Sequence, residues 1–376
     1  MIYLDYSADT PTDERVLDVY CNAVREYSAN PNSAHSEGRK AKAAVDSALE
    51  KTAALLGVKP SEIIFTSGAS EANNLAIKGI AFSRRRQGRH IISTGLEHSS
   101  VSGALTFLQE QGWEIELVNI LDDGRIDAAH FKRLLREDTV LAAICTVDSE
   151  LGAVQPIDEI ADILKDYPNC ALHTDATQAI GKLPVSLNRA DTASFAPHKF
   201  YGLNGCGVLY KREGIVLEPL IHGGASTTIY RSGTPDAAMA AACAEALELA
   251  LSEQEQRAER VSELNKHLRK LLSDIREVRI NSPENAIPHI FNLSVSGIKA
   301  VQMQEALDGR GICVSTKSAC SVPNTPSRAV YAVTHDRKNA LSSWRVSISH
   351  LTTEQELEAL AEAVKAMIAE KTEGKL

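Results

Sequence analysis

An α/β fold is predicted for this chain: a mainly parallel sheet with helices on both faces, followed by a smaller α/β unit. Two patterns predict it. Between Glu62 and Leu164, short apolar runs rich in β-branched residues alternate with helix-period stretches, the order expected when helices return successive strands to one parallel sheet. From Asp236 to about Ile275 a long helical pattern rich in Ala, Leu and Glu follows, and beyond it the order of elements changes.

Taken in order, Glu62-Ile63-Ile64-Phe65-Thr66 reads as a strand and Glu71 to Ile80 as the helix after it. His90 to Ser93 with Ser99 to Gln109 repeats the pair, and so does Val140 to Cys145 with Ile157 to Leu164. Cys170-Ala171-Leu172 is a further strand-like run. The pattern from Asp236 onward reads as the bridge between two domains. After it, Ile290 to Leu293, Val301 to Leu307, Ile312 to Val314 and Trp344 to Ile348 anchor strand, helix, strand, loop and strand. The last helix, Thr353 to Met367, opens on Thr353-Glu354-Gln355-Glu356, whose first and last side chains suit a reciprocal capping box.

Composition narrows the function. With 376 residues, 44% hydrophobic and 24% charged, the chain can bury one large core and a second, smaller one. The net charge of -9, with no basic run beyond Arg84-Arg85-Arg86, argues against nucleic acid as a direct partner; those arginines read as the solvated end of a helix. No stretch of about 18 apolar residues occurs, and Met1 to Asp5 lacks a basic region followed by an apolar one, so a cytoplasmic location with no membrane partner is expected. Seven cysteines, at 21, 145, 170, 206, 243, 313 and 320, show neither metal-ligand spacing nor a disulfide framework. Most read as small core hydrophobes.

Four stretches carry chemistry. In Ser194-Phe195-Ala196-Pro197-His198-Lys199-Phe200-Tyr201-Gly202, Lys199 ends an apolar run, where desolvation lowers an amine's pKa and suits it to form a Schiff base. His173-Thr174-Asp175-Ala176-Thr177-Gln178 places an acid at the carboxyl end of a strand. Acid and amine together are what pyridoxal phosphate needs, the lysine to anchor the aldehyde and Asp175 to keep the pyridine nitrogen protonated. Thr66-Ser67-Gly68-Ala69-Ser70-Glu71-Ala72-Asn73-Asn74 joins a strand to a helix. Its backbone N–H groups and the Ser70 hydroxyl can face a phosphate, although Ser70 acting as a plain N-cap fits the same residues. Glu97-His98 follows the next strand and can set an imidazole over a cofactor ring. In Cys313 to Pro323, small polar residues after a strand suggest a mobile loop carrying a thiol. Lys317, three positions before Cys320, favours its thiolate, whereas Cys313, in the strand, reads as inert.

These motifs, with others in the same order, resemble the cysteine desulfurases of the NifS/IscS type, class V aminotransferases within the fold-type I pyridoxal phosphate enzymes. The likeness runs through Tyr3-Leu4-Asp5, Asn30 to His35 with Gly38-Arg39, Ser67 to Asn74, Glu97-His98, Glu150 to Ile157, Asp175 to Gln178, His198-Lys199, Arg231 to Thr234, Ser318 to Ser321 and Trp344 to Ser347. The resemblance implies a large domain over 13–260 on a mainly parallel seven-stranded sheet. It also implies a small domain, from 1–12 and 261–376, bearing the catalytic cysteine loop. It implies that Lys199 holds the cofactor, Asp175 pairs with the ring nitrogen, His98 stacks on the ring and Gln178 meets the ring hydroxyl. Ser70, His198 and the backbone near Ala69 hold the phosphate, while Thr234 reaches the phosphate of a second subunit, which implies a homodimer. Arg345 binds the substrate carboxylate as a two-pronged fork, with Ser149 beside it.

The implied reaction converts L-cysteine to L-alanine. Lys199 takes the Cα proton, Cys320 receives the sulfur as a persulfide, and an acceptor protein, such as an iron-sulfur scaffold or a thiolation enzyme, takes it on. A selenocysteine lyase or a cysteine/cystine β-lyase on the same scaffold is the alternative; Cys320 favours the desulfurase. Departures from the family pattern fall at Ala196, Pro197, Lys317, Tyr6, Asp9 and Asp148-Ser149, the last pair standing where two asparagines are usual. The change at Asp148-Ser149 is expected to remove an amide from beside the ring.

Overall fold

The computed structural model of the chain describes residues 1–224, 226–317 and 325–373. In chain order, the first part comprises β1 (Ile2–Tyr3), α1 (Glu14–Glu26), α2 (Ser36–Leu56), β2 (Ile63–Thr66), α3 (Ala69–Arg84), β3 (His90–Thr94), α4 (Ser99–Glu110) and β4 (Glu114–Val118). It continues with α5 (Ala128–Leu134), β5 (Thr139–Ala143), α6 (Ile157–Leu164), β6 (Ala171–Asp175), β7 (Thr192–Phe195), β8 (Gly207–Lys211), α7 (Ala237–Ser252) and α8 (Gln254–Ser273). The last part holds β9 (Val278–Ile280), β10 (Ile290–Val295), α9 (Ala300–Asp308), β11 (Ile312–Cys313), α10 (Arg328–Thr334), α11 (Arg337–Ser342), β12 (Ser343–Ser347) and α12 (Glu354–Thr372).

Seven strands form one sheet in the order β2-β8-β7-β6-β5-β3-β4. Its strands are parallel except β8, which runs against both neighbours. Successive side chains of a strand point to opposite faces, and that alternation sorts the core. Ile64, Ile91, Leu141, Ala171 and Leu209 pack with Ala72, Ile80 and Val101 of α3 and α4. Their neighbours Ile63, Val208 and Tyr210 meet Ala246 and Leu247 of α7 on the other face, where Ile92, Ala142 and Leu172 pack on Phe131 and Ile160 of α5 and α6. Strands with both faces covered need no polar alternation, so apolar residues sit side by side in β2 and β5, while β3, β6 and β7 bury His, Ser and Thr among their apolar residues.

Beyond α8 a three-stranded antiparallel sheet, β12-β10-β9, carries its own core. Leu4, from the amino-terminal segment, is buried there with Leu264, Phe291, Trp344 and Val364. β1 pairs in parallel with β11, so the start of the chain is built into this later unit. The Thr353 capping box is present, with Glu356 N–H donating to Thr353 Oγ1 and Thr353 N–H to Glu356 Oε2. The single helix expected from Asp236 to Ile275 is instead two. Glu253 leaves helical geometry, with φ -102° and ψ 4°, and its carboxylate accepts from Arg15 at 2.7 Å and from Arg257 at 2.5 Å. Among the described residues, no helix is long and apolar enough to cross a membrane.

Candidate active site

The carboxyl ends of the parallel strands converge on one cavity of about 350 Å³, where a ligand is expected in an open α/β sheet. β2 ends at the Ser67–Ser70 turn, β3 at Glu97-His98, β5 at Cys145–Ser149, β6 at Asp175 and β7 at Pro197-His198-Lys199. Ala69, Ser70, His98, Ser149, Asp175, Gln178, His198, Lys199 and Arg345 all line it. Cys320 lies outside the described residues. Thr234 is exposed and does not line this chain's cavity.

The helix after the first turn is capped by backbone, not by Ser70. Gly68 is its N-cap with no side chain bonded, so the hydroxyl of Ser70 in the first turn faces the cavity. Ser67 N–H donates to Glu71 Oε2 at 2.7 Å, and Arg231 Nε donates to Glu71 Oε1 at 2.8 Å, which pins the turn from behind. Gly207 of β8 passes so close that a Cβ there would stand 2.6 Å from Gly68 Cα. The free N–H groups at the start of α3 make an anion seat.

Lys199 lies beyond the end of β7, in a short turn over Pro197–Lys199, rather than on a strand. Burial, with Arg345 adding repulsion, pushes its amine down to about 8. Its Nζ donates to the Ser7 carbonyl at 2.9 Å and the Ala8 carbonyl at 2.5 Å. Tyr201 then turns the chain back at φ 70°, a left-handed conformation held by its N–H on Thr10 Oγ1 at 2.8 Å.

Asp175 is fixed by a network whose centre the sequence did not reveal. Asn73, fully buried in α3, donates from Nδ2 to Asp175 Oδ2 at 2.8 Å and to Ser100 Oγ at 2.9 Å. Its Oδ1 accepts from His173 Nε2 at 2.9 Å and from the Ser194 hydroxyl. Burial holds His173 down at about 4, so it is neutral and its one proton points at Asn73. The Ser100 hydroxyl, accepting from Asn73, donates to His98 Nδ1 at 2.8 Å, and Ser100 N–H donates to the same atom at 3.2 Å. Two donors on Nδ1 leave the proton of His98 on Nε2, and burial lowers this histidine's pKa. One asparagine thus couples the acid at one side of the cavity to the imidazole above it. Its trace in the sequence is one asparagine, Asn73, next to the apolar residues Ala72, Leu75, Ala76 and Ile77 that α3 buries with it.

Arg345, from β12, is 1% exposed; one terminal nitrogen donates to the Ser149 carbonyl at 2.8 Å and the other to Asp5 Oδ1 at 2.9 Å. With five donors and two in use, it keeps a fork for a carboxylate. Ser149 reaches the cavity, but Asp148 turns away from it and accepts from Glu150 N–H at 3.2 Å and from Leu151 N–H. The first substituted asparagine position therefore faces the loop backbone, not the cavity. Burial, with Glu150 adding to it, pushes Asp148 up to about 7. Cys145 lines the cavity, yet burial drives its thiol far above the usual range, which makes it a poor nucleophile. Lys317 donates to the carbonyl and hydroxyl of Thr325.

Two buried polar atoms on the cavity wall, His198 Nδ1 and Ser7 Oγ, have no partner among the described residues. With the anion seat at α3, the acid, the amine and the imidazole, this donor set fits a flat aromatic aldehyde that carries a phosphate.

The family model described as aminotransferase class-V matches residues 2–360. Cysteine desulfurase IscS of Dictyoglomus turgidum is 37% identical over 372 residues, 98% of this chain and 94% of that protein. IscS of Dechloromonas aromatica is 39% identical over 365 residues, covering 95% and 89%. A solved structure titled NifS-like protein superposes with a TM-score of 0.92 at 34% identity, over 98% of this chain and 99% of its own.

Proposed function

The chain belongs to the class-V aminotransferase family, with IscS and NifS cysteine desulfurases as full-length relatives, and from that premise we propose how its own residues carry the reaction. It is a cysteine desulfurase, converting L-cysteine to L-alanine and passing on the sulfur. The observation that carries the assignment of roles is the meeting of Lys199, Asp175, His98 and Arg345 around one cavity.

Pyridoxal phosphate, when bound, supplies an aldehyde that takes up the substrate amine and a ring that accepts the electrons of the broken Cα–H bond. Ala69, Ser70 and His198 would hold its phosphate, and the Asn73-held carboxylate of Asp175 would keep its ring nitrogen protonated. His98 would face the ring and Gln178 would meet the ring hydroxyl. Arg345 takes the substrate carboxylate with the donors that Asp5 and Ser149 leave unused. An amine titrating at about 8 is in part unprotonated at neutral pH, so Lys199 can accept the Cα proton and return it to the product. The Cys320 thiolate attacks the substrate sulfur as the Cβ–S bond breaks; the electron pair of that bond leaves on the carbon, which takes up a proton to become the methyl group of alanine, and the persulfide left on Cys320 is unloaded by an acceptor protein. Thr234, exposed and away from this chain's cavity, serves the phosphate site of a second copy, in a homodimer working in the cytoplasm.

The test is to add L-cysteine to the holoenzyme and to Cys320→Ser, then quantify alanine and protein-bound persulfide. Alanine with a persulfide that vanishes in the variant is expected. Pyruvate and ammonia, with sulfide release unaffected by the substitution, would mean a β-eliminating lyase instead.

A further inference from the structure

Lys182 is a buried amine that the reaction above does not use. It lies four residues after Gln178, and its Nζ donates to Gln178 Oε1 at 2.5 Å. Among the described residues no carboxylate acts on it to hold its charge. Lys199 and Arg345 repel it, and its other side meets a small chamber lined by Arg257, His289, His350, Tyr6 and Tyr201, which offers cations and neutral rings but no acid. A buried cation without a counter-ion is costly to keep, and such groups concentrate at functional sites.

Its effect falls on the amide of Gln178. The two ends of an amide have nearly the same shape, and only their partners decide which way it faces. An ammonium group donates and never accepts, so the amide oxygen must face Lys182. The NH2 is then turned to the Ser7 carbonyl, which accepts from Nε2 at 3.0 Å, and its second N–H is left for the cavity that Gln178 lines. Flipped, the amide would set donor against donor at Lys182 and acceptor against acceptor at Ser7.

We propose that Lys182 is a positioning residue that locks Gln178 as a hydrogen-bond donor toward the ring oxygen of the cofactor. The inference rests on the reading that Gln178 meets the ring hydroxyl. Burial pushes Lys182 down to about 7; the ammonium form cannot accept from a flipped amide whereas the neutral amine can, so the share of the lock that Lys182 adds to that of the Ser7 carbonyl is firmest on the acid side of neutrality.

The test is a double-mutant cycle on the reconstituted holoenzyme, read as the pH midpoint of the bound cofactor's visible absorption. Lys182→Met and Lys182→Leu both remove the cation with an apolar side chain of similar size, so either can stand in if the other fails to fold. Loss of a donor at the ring oxygen raises the midpoint, and Gln178→Leu is expected to raise it by about half a unit or more. Lys182→Met is expected to raise it in the wild type and to add less than half of that shift in the Gln178→Leu background. An equal shift in both backgrounds overturns the inference, because the charge of Lys182 would then act on the cofactor directly. No shift in Gln178→Leu alone overturns the reading of Gln178, and the positioning role with it.

Discussion

Replacing Asp148 by asparagine should make the protein more stable, by an amount that grows with pH. Asp148 is a buried acid whose pKa rises from 3.8 to about 7, first through burial and then through Glu150, despite two backbone N–H donors and the opposing charge of Arg345. Between those two values the unfolded chain has released the proton and the folded chain still holds it. Stability therefore falls as pH rises from about 4 to about 7 and loses nothing more from this group above that. About three pKa units at 1.36 kcal/mol each give a penalty of about 4 kcal/mol at pH 8. The substituted side chain has no proton to lose, and its amide oxygen can accept one of the N–H groups of Glu150 and Leu151. Urea unfolding of both proteins, at matched protein and cofactor concentration, should show little difference at pH 4.5 and a gain for Asp148→Asn of up to about 4 kcal/mol at pH 8. A difference that stays flat from pH 5 to 8 would show that Asp148 ionises normally inside the fold.

Other outcomes follow from the cavity wall. Apoenzyme should capture pyridoxal phosphate through Lys199 at a rate that climbs with pH about a midpoint near 8, because only the unprotonated amine attacks; a stopped-flow midpoint above 10 contradicts the effect of burial. Gly207→Ala brings a methyl to 2.6 Å from Gly68 Cα and 2.7 Å from its carbonyl oxygen, both backbone atoms of the phosphate turn. Fluorescence titration of the apoenzyme should show cofactor affinity reduced by about tenfold or more, and unchanged affinity would mean the turn can shift freely. Asn73→Ala strips four hydrogen bonds, three from the buried Asp175, His173 and Ser194 and one from the half-buried Ser100, and should cost about 2–4 kcal/mol in urea unfolding, whereas a loss below about 1 kcal/mol would place Asn73 outside any stabilising network.

What could be seen in the sequence was what a single stretch of chain expresses. α6 spans the expected Ile157 to Leu164, and β2 with α3 and β3 with α4 lie where apolar runs gave way to helical spacing. Lys199, Asp175 and His98 stood out because strand ends deliver them in succession to one rim. β4 escaped notice because Glu114 and Glu116 interrupt it, as an edge strand allows. The break at Glu253 was hidden because both sides are good helix formers, and it is the arginines Arg15 and Arg257 that hold the corner. Asn73 as a four-way junction, Asp5 against Arg345 and Lys182 behind Gln178 were unreadable for a common reason. Each is defined by partners brought together by folding, and no local spacing records them.

The amino-terminal segment does more than begin the chain. Its Leu4 fills the later core, its Asp5 meets Arg345, and its carbonyls at Ser7 and Ala8 hold Lys199. β11 and β12, at residues 312–347, which seat it, lie far along the chain from it and are made after all seven strands of the large sheet. Contacts so far apart along the chain close late, after the large sheet has had time to form. The reactive lysine is thereby left without its final setting until β11 and β12 have been made, so a nascent chain that has not reached them has no finished pocket in which to engage a free aldehyde.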